Sequence, residues 1–157
     1  MKYKDLFENW GLTRINLNLK FANIEFSPKP DDEIAAWEMY VELVTRITTQ
    51  DLCDEVGDEI SALDSIHQLF PITRSILKEH GRKCDAFSKL AIIILNQIVR
   101  PFTAKWHKAK INGILETPEG KQNFREELKT LQKDLRIYCA ILADIAKVED
   151  LTTLVIE

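Results

Sequence analysis

The most regular pattern of apolar and polar positions lies in the last third of the chain. Between residues 119 and 148, apolar side chains recur in steps of four and three, which places them along one face of a helix. We therefore predict a helix over 119–148 that packs inside an intramolecular bundle, with a self-associating coiled coil as the alternative. The apolar positions of this face are Phe124, Leu128, Leu131, Leu135, Tyr138, Leu142 and Ile145.

A similar spacing earlier in the chain predicts a helix over 32–50. Asp31 and Asp32 come directly before it and are suitable N-cap residues, because a short carboxylate accepts hydrogen bonds from the first backbone N–H groups. Apolar residues then recur by three and four, which predicts a buried face. That predicted face consists of Ile34, Trp37, Val41, Val44 and Thr48.

Two proline-containing helices are predicted between these, over 59–80 and 84–108. Pro71 should kink or split the first and Pro101 should kink the second, because proline removes a backbone donor and crowds the preceding turn. The connection between the two helices is very short, which favours antiparallel neighbours. The stretch 90–95 is apolar on all sides and predicts the most enclosed helix of the bundle.

The two ends of the chain have a different pattern. Residues 3–10 predict a short helix that ends at Gly11, after which apolar and polar residues alternate over 15–21. A period of two is typical of a half-buried strand. The apolar, β-prone segment 151–157 is the candidate partner of that strand, in the same chain or in a neighbouring one.

Together these patterns predict an all-α fold, an antiparallel bundle of about four long helices, two of them kinked at prolines, with an N-terminal extended, strand-like segment. The chain of 157 residues is 45% hydrophobic and 29% charged, which excludes a disordered tail and a disulfide scaffold. We predict a single domain over 1–157, made of an N-terminal part (1–30), the bundle (31–148) and a C-terminal tail (149–157).

Cysteine usage and hydropathy predict a cytoplasmic protein. The spacings of Cys53, Cys84 and Cys139 match no metal-binding pattern, and their odd number favours free, buried thiols in a reducing compartment. The first residues lead into no apolar stretch, so we expect no signal peptide. The longest charge-free apolar run, 90–99, is too short to span a bilayer, which takes about 20 residues.

Charge is distributed unevenly along the chain, although its net value is only −4. Eleven acidic residues and one basic residue give 31–64 a net charge of −10, whereas seven basic residues and one acidic residue give 81–110 a net charge of +6. Three interpretations are open: the two segments face each other inside the bundle, the basic segment binds an acidic partner or a second copy, or it binds nucleic acid.

The candidate binding surface is the basic and aromatic stretch 100–110. Arginine and aromatic side chains are favoured at protein interfaces and stack on nucleobases, but a solvated helix end rich in lysine is the alternative. The sequence pI near 5.5 makes nucleic acid the less favoured partner. The candidate residues are Arg100, Lys105, Trp106, His107, Lys108 and Lys110.

Motifs for catalysis are absent from the sequence. It contains no glycine-rich phosphate loop, G-x-S-x-G or HExxH. His80 and Cys84 have the helical spacing of a base and a nucleophile, but Gly81 between them should interrupt the helix. We therefore predict a non-enzymatic protein with no catalytic residue and no cofactor.

A carboxylate-metal enzyme is the least favoured alternative. Asp64 and His67 have the i, i+3 spacing of two metal ligands, and Glu38 and Glu42 could add carboxylates. A di-iron bundle requires a second Glu-x-x-His element, and this chain has none. We therefore predict no metal site from the sequence.

Three stretches resemble segments of a family of small bacterial helical proteins. They are LNQIVRPFTAKWH (95–107), AAWEMYVELVTR (35–46) and VEDLT (148–152). The resemblance brings no established activity. It implies a bacterial cytoplasmic accessory subunit encoded beside other proteins of one system, with antiviral defence as one candidate system.

The sequence therefore favours a protein-interaction subunit that binds a protein partner or itself through its charged faces. Nucleic-acid or nucleotide binding through 100–110 is the first alternative, and the carboxylate-metal enzyme is the second. No membrane partner is expected.

Overall fold

The computed structural model describes residues 1–154, and these form an all-α fold with no β-sheet. Two short 3₁₀ turns and one π-helical segment, Ile94–Val99, lie between the α-helices. The α-helices are α1 (Tyr3–Trp10), α2 (Leu19–Ala22), α3 (Pro30–Val44), α4 (Glu59–His67), α5 (Leu69–His80), α6 (Asp85–Ile93), α7 (Arg100–Ile111) and α8 (Pro118–Ala146).

The longest helix, α8, is the central element, and α3 packs along it. It starts at Pro118, where the Thr117 hydroxyl accepts a hydrogen bond from Gly120 N at 3.0 Å. It ends before Lys147, which adopts a left-handed conformation with φ 58°. All seven apolar positions predicted for this helix are buried, which confirms the predicted face.

The predicted helix over 59–80 is divided into α4 and α5 at Gln68. Pro71 has no N–H to donate to the carbonyl of His67, and its ring crowds that carbonyl, so the regular helix breaks just before it. The predicted splitting by Pro71 is therefore confirmed.

The predicted helix over 84–108 is observed as α6, the π-helical segment and α7 in direct succession. The wider π turn ends just before Pro101. Because Pro101 has no backbone N–H, one hydrogen bond is missing from the helical series there, and the π turn accommodates that gap. The expectation that 90–95 is enclosed on all sides is wrong, because Ile92 is 46% exposed and lies on the outer side of the helix.

The start of α3 differs from the prediction. Lys29 is the N-cap, and Pro30 is the first helical residue. The carboxylate of Asp32, which lies inside the helix and is buried, accepts a hydrogen bond at 2.8 Å from Lys29 N and another at 2.8 Å from Phe87 N. One carboxylate thus satisfies orphan N–H groups at the starts of both α3 and α6.

The end of α3 is also earlier than predicted, at Val44 rather than 50. The hydroxyls of Thr48 and Thr49 both donate to the carbonyl oxygen of Leu43, at 2.6 and 2.9 Å. These side-chain donors satisfy a carbonyl of the last turn, so the chain leaves the helix without an unpaired acceptor.

Of the five residues predicted for the buried face, Val44 is half-buried and Thr48, which lies after the end of α3, is buried, but the other three are exposed. Ile34, Trp37 and Val41 are exposed by 51, 47 and 38%, and we call these three residues the α3 stripe. The opposite face, with two alanines and three large apolar side chains, packs into the core. The buried apolar residues of α3 are Ala35, Ala36, Met39, Tyr40 and Leu43.

The predicted N-terminal strand over 15–21 is wrong, because its backbone hydrogen bonds are made by a side chain and by a helical turn instead of a neighbouring strand. Gln97 accepts a hydrogen bond from Asn16 N at 2.7 Å and donates one to the Asn16 carbonyl at 2.8 Å. The chain then forms one helical turn, α2, capped by the Asn18 side chain. Its proposed strand partner is a turn over 151–154, and residues 155–157 lie outside the described part of the chain. The predicted four-helix bundle with a strand-like segment is thus replaced by a larger set of shorter helices around α8.

No helix within residues 1–154 is long and apolar enough to cross a membrane. Of the three cysteines, Cys84 and Cys139 are buried as expected, whereas Cys53 is exposed in the loop after α3.

Candidate functional site

The predicted 100–110 surface coincides with α7, but its aromatic residue belongs to the core. Trp106 is only 2% exposed, and its indole N–H donates to Glu127 Oε2 at 2.9 Å. Its ring packs edge-on against Phe124 at a centroid distance of 5.2 Å. Trp106 is therefore available neither to a partner surface nor to a nucleobase.

The cations of α7 are partly engaged inside the molecule. Lys105 forms an ion pair with Glu127, and Lys110 Nζ lies 3.7 Å from Asp64 Oδ1. The Arg100 guanidinium lies over the Phe70 ring, 4.7 Å from its centroid, but remains exposed. Lys108 has no ion pair within residues 1–154.

The exposed residues of α7 form a second stripe. Arg100, Ala104, Lys108 and Ile111 are all exposed and are separated by four, four and three positions, which places them on one side of the helix. We call these four residues the α7 stripe. It is basic in the middle and at its start, and Ile111, 79% exposed, provides an apolar end.

His107, the last member of the predicted set, faces another histidine. Its ring meets the His67 ring edge-on at a centroid distance of 4.9 Å. Burial lowers the pKa of His107 below its usual 6.5, and the neighbouring His67 and Lys110 lower that pKa further, whereas Asp64 opposes the shift. The neutral form of His107 is therefore favoured in the fold.

This lowered pKa predicts a loss of stability in mild acid. As the pH falls below about 6.5, the unfolded chain takes up a proton at His107 before the folded chain does, so the free energy of unfolding decreases until the folded pKa is passed. We expect His107→Gln to lose less free energy of unfolding than the wild type between about pH 7.5 and pH 5.5. Urea unfolding at both pH values measures this difference, and equal losses in the two proteins would contradict it.

The acidic and basic segments do not mainly face each other. Within the described residues, one ion pair joins the acidic segment 31–64 to the basic segment 81–110, and it is Asp64 with Lys110. Glu38 also bonds to His80, which lies just before the basic segment. Most of the other acidic residues of 31–64 that form ion pairs do so with arginines of α8 or with Lys147, the residue that follows α8. These pairs are Asp51 with Arg136, Asp54 and Glu59 with Arg125, and Glu33 with Lys147.

The α3 stripe borders a shallow cleft of about 400 Å³ between α3 and α5. The C-terminal segment also contacts α3, since Leu151 N donates to the Tyr40 hydroxyl at 2.7 Å. Trp37 stacks on Tyr40 with an interplanar angle of 23°. The residues that line the cleft are Trp37, Glu38, Val41, Glu42, Ile72, Ser75 and Ile76.

The four residues considered for a carboxylate-metal site do not converge. Glu42 pairs with Arg46, Asp64 with Lys110, and His67 contacts the His107 ring edge-on. Glu38 instead bonds to His80, with 2.8 Å between Oε2 and Nε2.

A different cluster, Glu38 with Glu79 and His80, was missed by the sequence reasoning. The ligand atoms of these three residues all lie within 4.8 Å of one another, and no other such group of three occurs among residues 1–154. About forty residues separate Glu38 from the other two, and only the packing of α3 on α5 brings them together. No spacing in the sequence could have indicated it.

Comparison of the chain with models of protein families, with curated proteins and with solved structures finds no match in any of the three.

Proposed function

We propose that the protein is a non-enzymatic interaction subunit that assembles with further copies of itself by docking the α3 stripe of one copy onto the α7 stripe of another. The observation that carries the proposal is the exposure of Trp37, Ile34 and Val41 on a helix whose other face is packed in the core. Apolar groups collected on one exposed face are typical of a surface that is covered in the functional assembly.

Charge complementarity supports a second copy as the occupant. Glu38 and Glu42 flank the α3 stripe and are bonded within the chain to His80 and Arg46, whereas Arg100 and Lys108 provide the charge of the α7 stripe. Both carboxylates remain partly exposed, so the cations of the next copy would meet acidic groups beside the apolar contact.

The α3 stripe is shorter than the α7 stripe. Ile34 to Val41 covers seven helical steps and Arg100 to Ile111 covers eleven, or about 10 Å and about 16 Å along a helix axis, so the α3 stripe would cover part of the α7 stripe. Two different surfaces of the chain would meet, so the contact is heterologous and repeats from copy to copy.

Nucleic-acid binding through 100–110 is less well supported. Trp106 is buried, and Lys105 and Lys110 are engaged by carboxylates. Few cations of this segment therefore remain to contact phosphates, and no aromatic ring of it remains to stack on bases. A gel shift over a salt series tests this alternative, because phosphate contacts weaken steeply with salt.

Self-association is measured by sedimentation velocity and light scattering from micromolar to millimolar protein. We expect the mass to rise above the 18.1 kDa of one chain. Trp37→Glu should weaken association by about thirtyfold or more, since a central aromatic anchor contributes about 2 kcal/mol or more. Ile92→Glu is the matched control: it also places a carboxylate at an exposed apolar position, but outside both stripes, and should associate as the wild type does.

Charge reversal provides the decisive comparison. Glu42→Lys places a cation beside the α3 stripe, where it would meet the cations of the α7 stripe, and Lys108→Glu removes the cationic centre of the α7 stripe, so each variant alone should associate weakly. An equimolar mixture should regain association, because the reversed α3 stripe of one variant meets the reversed α7 stripe of the other. A wild-type protein that stays monomeric at every concentration, or a Trp37→Glu variant that associates normally, would overturn the proposal.

A further inference from the structure

The cluster of Glu38, Glu79 and His80 presents one imidazole and two carboxylates from two different helices. Glu38 lies on α3, while Glu79 and His80 form the last turn of α5. Glu38 Oε2 and His80 Nε2 are 2.8 Å apart, and a Glu79 carboxylate oxygen lies within 4.8 Å of both. Three potential ligands therefore already converge on one point of the surface.

We propose that this cluster binds a divalent transition-metal ion, with Zn²⁺ as the ion it fits best. Imidazole nitrogen with carboxylate oxygen is a donor set that zinc accepts, and three protein ligands leave a fourth position open to water. Ca²⁺ and Mg²⁺ fit less well because they prefer oxygen ligands alone. The site shares Glu38 with the edge of the proposed docking surface, but zinc binding does not require self-association.

The distances suit such an ion. Ligand atoms about 2.1 Å from a tetrahedral zinc are about 3.4 Å from each other, which lies between the 2.8 Å and 4.8 Å that bound this cluster. Glu79 is exposed, so its side chain can rotate to close the remaining distance without displacing a packed neighbour.

The backbone that carries the ligands is held by the core. The Thr73 hydroxyl of α5 lies 3.7 Å from the Met39 sulfur of α3, and both residues are buried, so the two helices that carry the ligands are packed together. The His80 side chain is only 12% exposed, so its ring has little freedom to turn away from Glu38. Two of the three ligands are thus pre-positioned, which lowers the entropy lost on binding.

The experiment is a titration of chelator-treated protein with Zn²⁺ alone, by calorimetry and by equilibrium dialysis with elemental analysis. We expect one zinc per chain and a higher melting temperature with zinc. His80→Gln and Glu79→Gln should each weaken binding by about tenfold or more, because each removes a direct ligand. Glu42→Gln is the matched control, since Glu42 lies one turn from Glu38 but pairs with Arg46, and it should bind zinc normally.

Three outcomes would overturn the proposal: no stoichiometric zinc, equal binding in the His80→Gln variant, or equal weakening by Glu42→Gln. Circular dichroism and the metal-free melting temperature establish that each variant is folded. The Trp37→Glu variant separates this site from the proposed assembly, because it should lose self-association and retain zinc. His80→Gln should do the reverse.

Discussion

Replacing Arg125 with methionine should lower the free energy of unfolding by about 3–5 kcal/mol, which is the cost of removing one partner of a buried ion pair while the other stays buried. Arg125 Nε lies 2.8 Å from Glu59 Oε1, and the side chains of Arg125 and Glu59 are only 15 and 9% exposed. Methionine keeps most of the volume and the helix propensity but leaves the Glu59 carboxylate buried without a cation. The loss is therefore electrostatic rather than a loss of packing.

Arg125 also holds the loop between α3 and α4. Its guanidinium donates to the carbonyl oxygens of Leu52, Cys53 and Gly57 at 3.3, 3.1 and 2.9 Å. The additional ion pair with Asp54 contributes little, because that carboxylate is 98% exposed and screened by water. We expect the loop to become accessible to proteases in Arg125→Met before the helices unfold.

Arg136→Met is the matched control for this prediction. Arg136 lies on the same helix and donates to the Thr49 carbonyl at 3.1 Å, but its ion-pair partner, Asp51, is 82% exposed. Its replacement should cost about 1 kcal/mol. Urea unfolding of both variants, and of Arg125→Met combined with Glu59→Gln, measures the difference. If Arg125→Met and Arg136→Met cost the same, the Glu59 pair is not buried in solution.

Features that depend on one segment of the sequence alone could be predicted well. In α8, Leu131 and Leu135 belong to one regular series of apolar residues, and a polar face lies opposite, so a single orientation is favoured. Prolines likewise act on their own turn, which is why the break before Pro71 could be predicted from the sequence.

The orientation of α3 could not be predicted, because two of its faces are apolar. The face with Trp37 and Val41 is apolar, and so is the competing face, which holds Met39, Tyr40 and Leu43, so hydrophobicity alone does not select between them. The choice depends on which face fits the surfaces of the helices that pack on α3, and this is not written in the sequence of α3 itself.

The alternation over 15–21 failed for a related reason. Periodicity reports which side chains are half-buried, but a strand also needs a neighbour for its backbone. Gln97, far along the chain, supplies the hydrogen bonds of Asn16, and Leu19, which the pattern places on the buried side, is 82% exposed. The cluster of Glu38, Glu79 and His80 could not be predicted for the same reason, since it exists only after α3 and α5 have packed.

The second large effect is expected for Leu135→Ala, which should lower the free energy of unfolding by about 2–5 kcal/mol. Leu135 is fully buried in the middle of α8, so its truncation removes apolar contacts and leaves a cavity that neighbouring helices cannot fill without moving. Thermal and urea unfolding measure the loss.

Leu19→Ala is the matched control, because it removes the same atoms from a side chain that is 82% exposed, and it should change stability by less than about 0.5 kcal/mol. Ile34→Ala extends the comparison to the α3 stripe. If the stripe is exposed in the free chain, this variant behaves like Leu19→Ala in dilute protein and loses stability relative to the wild type only at concentrations where copies associate. A cost near that of Leu135→Ala in dilute protein would instead place Ile34 in the core, as the sequence pattern predicted, and would contradict the orientation of α3 on which the proposed docking depends.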